Sequence, residues 1–268
     1  MTDIYQAPSA NMEERTVRVR TGGSLEDAIA GRYQFSVGAL IDEAWKLVSG
    51  KKMICCIAAV MNFAIVMVFN MVLQFVLGRI GVRGEGLDYQ FFLHPPPDMM
   101  HQSMISTTTN ILQMFVTLPL AAGLFMLGLK LVVSAPVELT EVFEYFGKVL
   151  TLVGTTLLMY LLIGIGLCLL VLPGIYLMVA YSLAIPLVVE KDLGPWEALE
   201  ASRKAITHHW FGFLGLYISM FFIVLFSMLP LLVGLLWTIP LSILLKGVLY
   251  RTVFGYEGEV LPAGAIAG

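Results

Sequence analysis

Apolar residues gather into long uninterrupted runs separated by short polar stretches, and this pattern sets the element count. A membrane helix needs about 20 apolar residues, at about 1.5 Å of rise each, to cross about 30 Å of hydrocarbon. Met53–Leu77 satisfies this as a first span, and Met104–Val133, interrupted by Pro119, as a second. The run from Val149 to Val189 carries no charge. As one helix it would reach about twice the hydrocarbon thickness, so it must turn. Pro173-Gly174 is the predicted turn, because proline removes a backbone donor and glycine permits the bend. Phe211–Phe254 divides in the same way at Pro230, with Pro240 kinking the last helix. The prediction is an all-α polytopic membrane protein with six spans, at residues 53–77, 104–133, 149–172, 175–190, 211–229 and 232–250.

Between the runs lie segments with one apolar and one charged face. In residues 33–52, Phe35, Val37, Leu40, Ile41, Ala44, Trp45 and Val48 oppose Asp42, Glu43 and Lys46. Ser36 is the expected N-cap and Gly50 the expected stop. In residues 134–150, Val137, Val142, Phe143 and Phe146 oppose Glu138, Glu141 and Glu144. In residues 193–210, Trp196, Leu199 and Ile206 oppose Glu197, Glu200, Arg203 and Lys204, with Pro195 in the first turn. Each reads as a helix lying in the membrane interface, with Trp45, Trp196 and Trp210 at headgroup depth. Each precedes two spans, so the chain reads as a threefold pseudo-repeat of interfacial helix plus helical hairpin.

Residues 1–31 are polar and read as a flexible cytoplasmic tail, residues 32–256 as the six-helix domain, and 257–268 as a C-terminal cytoplasmic tail. Within the first tail TVRVR (16–20) alternates like a strand, marginal by itself. The first apolar run starts too late for a signal peptide. The 78–103 segment is the only long loop on the far side. Its YQFFL patch can dip into the interface. Its His94, Asp98 and His101 have i, i+4, i+7 spacing, a weak metal-ligand pattern because Pro95, Pro96 and Pro97 oppose a helix there.

Composition fixes the solvent. The chain has 268 residues, of which 58% are hydrophobic and 13% charged, against about 25% charged in a soluble domain. A net charge of −3 gives no footing for nucleic acid. Of the 16 Lys and Arg residues, all but Arg79 and Arg83 fall on the side of the termini. That bias predicts cytoplasmic N- and C-termini. Cys55, Cys56 and Cys168 lie in apolar runs and read as small filler.

Polar groups within the spans are the default pointers to function in lipid. Asn70 and Gln74 share a face of the first span, while Asn62 lies off it. Asn110 and Gln113 open the second, and Tyr181 and Ser182 lie within the fourth. These six, without Asn62, are the candidate ligand- or lipid-facing residues, and interhelical bonding is the plainer role for the amides. Gly154, Gly164, Gly166 and the Ala180/Ala184 pair permit close helix approach, and Lys130 can snorkel. Neither a carboxylate deep in a span nor a recognisable catalytic motif is present, so no enzyme and no cofactor is predicted.

LPGIYLMVAYSLAIPLVVEKDLGPWEALEASRKAITHHW and the closing VLYRTVFG (248–255) resemble a group of bacterial inner-membrane proteins. The group includes YciC-like proteins and the membrane domain attached to some glycerophosphodiester phosphodiesterases. The likeness covers residues 33–256. It implies six helices in a bacterial inner membrane and supplies no catalytic residues. The function expected first is binding or moving a lipid or other amphiphile, with membrane lipids as partners. The alternatives are a homo-oligomeric or accessory membrane subunit and, third, an ion-coupled transporter or channel.

Overall fold

The computed structural model describes residues 17–79, 99–229 and 234–260. In chain order the elements are β1 (Val17–Thr21), α1 (Leu25–Ile29), α2 (Val37–Arg79), α3 (Met99–Val132), a 3₁₀ helix (Leu139–Lys148), α4 (Val149–Leu169), α5 (Val171–Ala180), α6 (Ala184–Glu190), α7 (Pro195–Thr207), α8 (Trp210–Met228), α9 (Leu235–Phe254) and β2 (Tyr256–Val260). Among the described residues, six helical segments are long and apolar enough to cross a membrane: α2, α3, the 3₁₀ helix with α4, α5 with α6, α8 and α9. The chain is a multi-pass membrane protein of all-α class. The YQFFL patch, the Pro230 break, residues 1–16 and residues 261–268 lie outside the described residues.

The first amphipathic segment does not end at Gly50. α2 runs unbroken for 43 residues, about 64 Å of helix. Leu40, Ala44, Val48, Cys55 and Ala58 form one buried stripe that continues past the exposed glycine. Burial along a continuous stripe outweighs the roughly 1 kcal/mol helix penalty of a glycine. α9 lies antiparallel along the first half of α2. Arg251 Nη2 reaches Glu43 Oε1 at 2.8 Å near one end, and Cys56 Sγ approaches the Leu236 carbonyl at 3.6 Å near the other. Beyond that point α2 runs on beside α3, joined by Asn62 Nδ2 donating to the Leu120 carbonyl at 3.0 Å. There Phe63, Met67, Met71 and Phe75 are exposed, a stripe that only lipid or another apolar surface can solvate.

The turn between the third and fourth spans comes three residues before the predicted Pro-Gly. Leu170 is extended and α5 starts at Val171, placing Pro173 inside its first turn. Proline is tolerated there because the first-turn N–H groups have no intrahelical acceptor. Gly174 instead serves the hairpin's packing. A Cβ on Gly166 would stand 3.2 Å from the Gly174 Cα, so α4 and α5 cross backbone to backbone. A second crossing joins α3 to α9, where a Cβ on Gly247 would lie 3.0 Å from the Gly128 carbonyl. Gly154 and Gly164, expected to permit close approach, face open space.

Neither terminal segment is a free tail where it is described. β1 pairs antiparallel with β2 from Val17↔Val260 to Thr21↔Tyr256. The alternating TVRVR thus finds its partner in YEGEV, at the opposite end of the chain. Ser24 caps α1 by accepting from the Asp27 N–H at 3.0 Å, and Ala28 is fully buried. Tyr33 Oη donates to the Ala205 carbonyl at 2.8 Å. The His208 ring packs under Gly31 and lies 3.2 Å from the Ile29 carbonyl. Both ends of the described chain therefore meet at one end of the bundle.

The three amphipathic segments are all helical and each leads into a span, but they are built differently. The first is fused to its span. The second is the 3₁₀ helix, anchored by Val142 in the core and by Lys130 Nζ on Glu141 Oε2 at 2.7 Å. Lys130 is thus ion-paired rather than snorkelling. The third, α7, buries Ala198, Leu199, Ala201, Ser202, Ala205 and Ile206 against protein instead of lipid. Small residues along that face let backbones approach closely, which an interfacial helix does not need.

On its outer face Glu200 takes a two-pronged bond from Arg203, at 2.9 Å and 2.8 Å. The Arg203 hydrogen bonds hold the Glu200 carboxyl below its ordinary value of 4.5. A depressed carboxylate stabilises the fold above its ordinary value and loses that contribution as pH falls through the lowered one. A melting-temperature deficit of Glu200→Gln relative to the parent is therefore expected at pH 7 and should close below pH 4.5. A deficit that persists unchanged at acid pH would contradict the ion pair.

Candidate lipid-facing groove

α8 is fixed to the bundle chiefly near its start. Phe213 and Leu216 are its only fully buried side chains, and the Phe213 ring meets Phe35 edge to face at 5.0 Å. Toward its other end Ser227 Oγ and Thr238 Oγ1 join it to α9 at 3.1 Å. Between these two attachments the helices part around a cavity of about 350 Å³. That volume is at the lower end of small-molecule sites, about 300–1,000 Å³.

The lining repeats a helical spacing on both sides. α8 contributes Leu216, Tyr217, Met220, Phe221 and Val224, and α9 contributes Ser242, Leu245, Lys246 and Leu249. Positions i, i+3, i+4 and i+7 lie on one helix face, so each helix turns a single stripe toward the gap. Phe221 is largely exposed, so the groove opens sideways. Its walls are apolar apart from three groups. Ser242 Oγ donates back to the Ile239 carbonyl at 2.7 Å. Tyr217 Oη donates to Ser182 Oγ at 2.7 Å, tying α8 to the break between α5 and α6. Lys246 is the third and is exposed.

The other cations of the membrane helices have partners. Lys148 pairs with Asp192 at 2.8 Å, Lys51 donates to the Leu131 carbonyl, and Lys52 lies over the Trp237 ring at 5.6 Å. Lys130 and Arg251 hold the carboxylates named above. Among the described residues, Lys246 meets no carboxylate, carbonyl or aromatic ring.

No family model, no curated protein and no solved structure matches the chain.

The residues predicted from sequence are scattered over the fold. Ser182 reaches the groove through Tyr217. Tyr181 is buried beside Ala184 and Leu199, facing α4. Asn70, Gln74, Asn110 and Gln113 lie on the stretches of α2 and α3 that extend past α9, and none lines the groove. Trp45 and Trp196 are exposed, as anchors at a boundary would be, and Trp210 Nε1 donates to the Tyr176 carbonyl at 3.4 Å. Pro173 and Gly174 form the hairpin described above. Of the weak metal trio, His94 and Asp98 lie outside the described residues, and His101 falls in the first turn of α3. Among the described residues no group of three His, Cys, Asp or Glu side chains is placed to hold a metal.

Sequence reasoning missed the two groove stripes. The signal was present as the matched spacing 217/220/221/224 and 242/245/246/249, with a single lysine as the only charge on either stripe. Counted only as a topology marker, Lys246 gave no hint that it borders a cavity.

Proposed function

We propose that this protein is a non-enzymatic component of a bacterial inner membrane, with both termini cytoplasmic, that binds or moves a lipid or other amphiphile through the groove between α8 and α9. The observation that carries the reading is a sideways-opening apolar cavity, of ligand-site volume, between two helices suited to a bilayer. Such cavities bind apolar ligands by removing their surface from a less favourable environment and by fixing them with a few polar groups. The basic residues clustered toward the end of the bundle that holds the termini support the orientation. Membership of the six-helix group described above is part of the same proposal.

Val224→Trp tests it, because the larger side chain fills the groove from its wall. Lipid retained by the purified protein in mild detergent, quantified by mass spectrometry, should fall from about one molecule per chain to background. Equal retention by the parent and the variant would refute the reading.

The exposed stripe Phe63, Met67, Met71 and Phe75 favours a second reading, in which a second copy covers α2. Met67→Cys should then crosslink in intact membranes, and an exclusively monomeric product would dismiss it.

A further inference from the structure

We infer that the groove between α8 and α9 selects an anionic phospholipid of the surrounding bilayer, seating one acyl chain along the apolar stripes with the phosphate at Lys246. This inference rests on the amphiphile-binding reading and adds the headgroup chemistry to it. Three observations converge. The cavity wall is apolar along both helices, from Leu216 to Val224 and from Ser242 to Leu249. The one cation bordering it, Lys246, has no carboxylate, carbonyl or ring partner among the described residues, whereas the neighbouring lysines and Arg251 are engaged. The remaining hydroxyls are already committed, Ser242 to its own helix and Tyr217 to Ser182.

Position along the helix fits a headgroup as well. Lys246 lies eight residues before the end of α9 at Phe254, about 12 Å along the axis. A lysine stem buries its methylenes along apolar surface while its ammonium reaches toward the polar boundary. Tyr217 lies seven residues into α8, on the facing wall near the same end. The charged end of the site therefore lies toward the end of the bundle that gathers the basic residues, and the apolar stripes continue from it toward the Ser227–Thr238 contact. An ammonium in this setting attracts a phosphodiester and offers a zwitterionic lipid no net charge to neutralise.

The full chain is reconstituted in nanodiscs of phosphatidylethanolamine with one-fifth phosphatidylglycerol, a fixed ratio for every sample, and then extracted into mild detergent. Retained lipids are quantified by mass spectrometry. In the parent the retained phosphatidylglycerol-to-phosphatidylethanolamine ratio should be about fivefold that of the bilayer. Lys246→Gln should retain as much total lipid but show no enrichment, and Lys246→Arg should restore it. Val224→Trp should abolish retention altogether. Loss of preference in Lys246→Gln with total lipid unchanged supports the headgroup assignment. Lipid bound by the parent with no anionic preference, or the same preference in Lys246→Gln, overturns that assignment and leaves the amphiphile-binding reading standing. No retained lipid in parent or variants overturns both. Preferential displacement of phospholipid by added oleate would reassign the occupant to a free fatty acid and so overturn the choice of phospholipid.

Discussion

Gly247→Leu is expected to be strongly destabilising. A Cβ at this position would lie 3.0 Å from the backbone of Gly128 and 3.1 Å from the Leu129 Cα. Those atoms belong to a helix backbone, so no side-chain rotation can relieve the clash. α3 and α9 must separate, and with them the contact of Ile243 with Gly128 and the edge-to-face packing of Tyr250 on Phe125 at 5.3 Å. Overpacking of a closed interface costs on the order of 3 kcal/mol, and close approach through small residues is a main source of helix association in lipid. The melting temperature in detergent should drop sharply, with loss of a monodisperse peak. Gly164→Leu is the matched control. Nothing stands within 4 Å of its Cβ position, so the change should be neutral or stabilising within about 1 kcal/mol. Equal effects at the two glycines would show that the α3–α9 crossing is not as described.

Ser202→Ala should also be costly. Ser202 is fully buried on α7. Its Oγ donates to the Ala180 carbonyl at 2.7 Å and accepts from the Leu183 N–H at 3.3 Å. These are the backbone groups freed where the fourth span breaks between α5 and α6. One hydroxyl therefore satisfies both sides of the break, in the manner by which membrane helices tolerate interruption. Removing it strands a buried donor and a buried acceptor, at roughly 1–3 kcal/mol. Ser219→Ala is the comparison, since that hydroxyl only bonds back to the Gly215 carbonyl of its own helix and should be close to neutral. A fourth span that melts with the parent after Ser202→Ala would show that the break is supported elsewhere.

What could be read from the sequence was whatever depends on neighbours in the chain. Span count follows from apolar length, a local sum, and the six segments agree with the predicted ones to within a few residues at most boundaries. Partnerships between distant residues could not be read in the same way. Nothing in the context of Gly247 distinguishes it from Gly164, yet one meets Gly128 and the other meets nothing. TVRVR was legible as a strand, but its ladder partners lie 237 to 243 residues later, at the far end of the chain. α7 was legible as amphipathic, whereas the surface its apolar face covers depends on where α4, α5 and α6 stand. The candidate site was the least legible part. Asparagine and glutamine are conspicuous within apolar runs, while a groove arises from a gap between two helices. A gap leaves no residue type behind, only matched stripes and a lysine without a counterion.

The pairing of β1 with β2 has a consequence for biosynthesis. Synthesis proceeds from the N-terminus, so β1 emerges first and must wait, unpaired, until every membrane helix has been made. The ladder can close only when β2 follows the last of them to the same side of the bilayer. A chain cut short, or one whose final helix is inserted the wrong way round, is left with an open strand edge, the kind of surface that invites pairing with other chains. The small sheet thus works as a latch that only a completely threaded molecule can fasten.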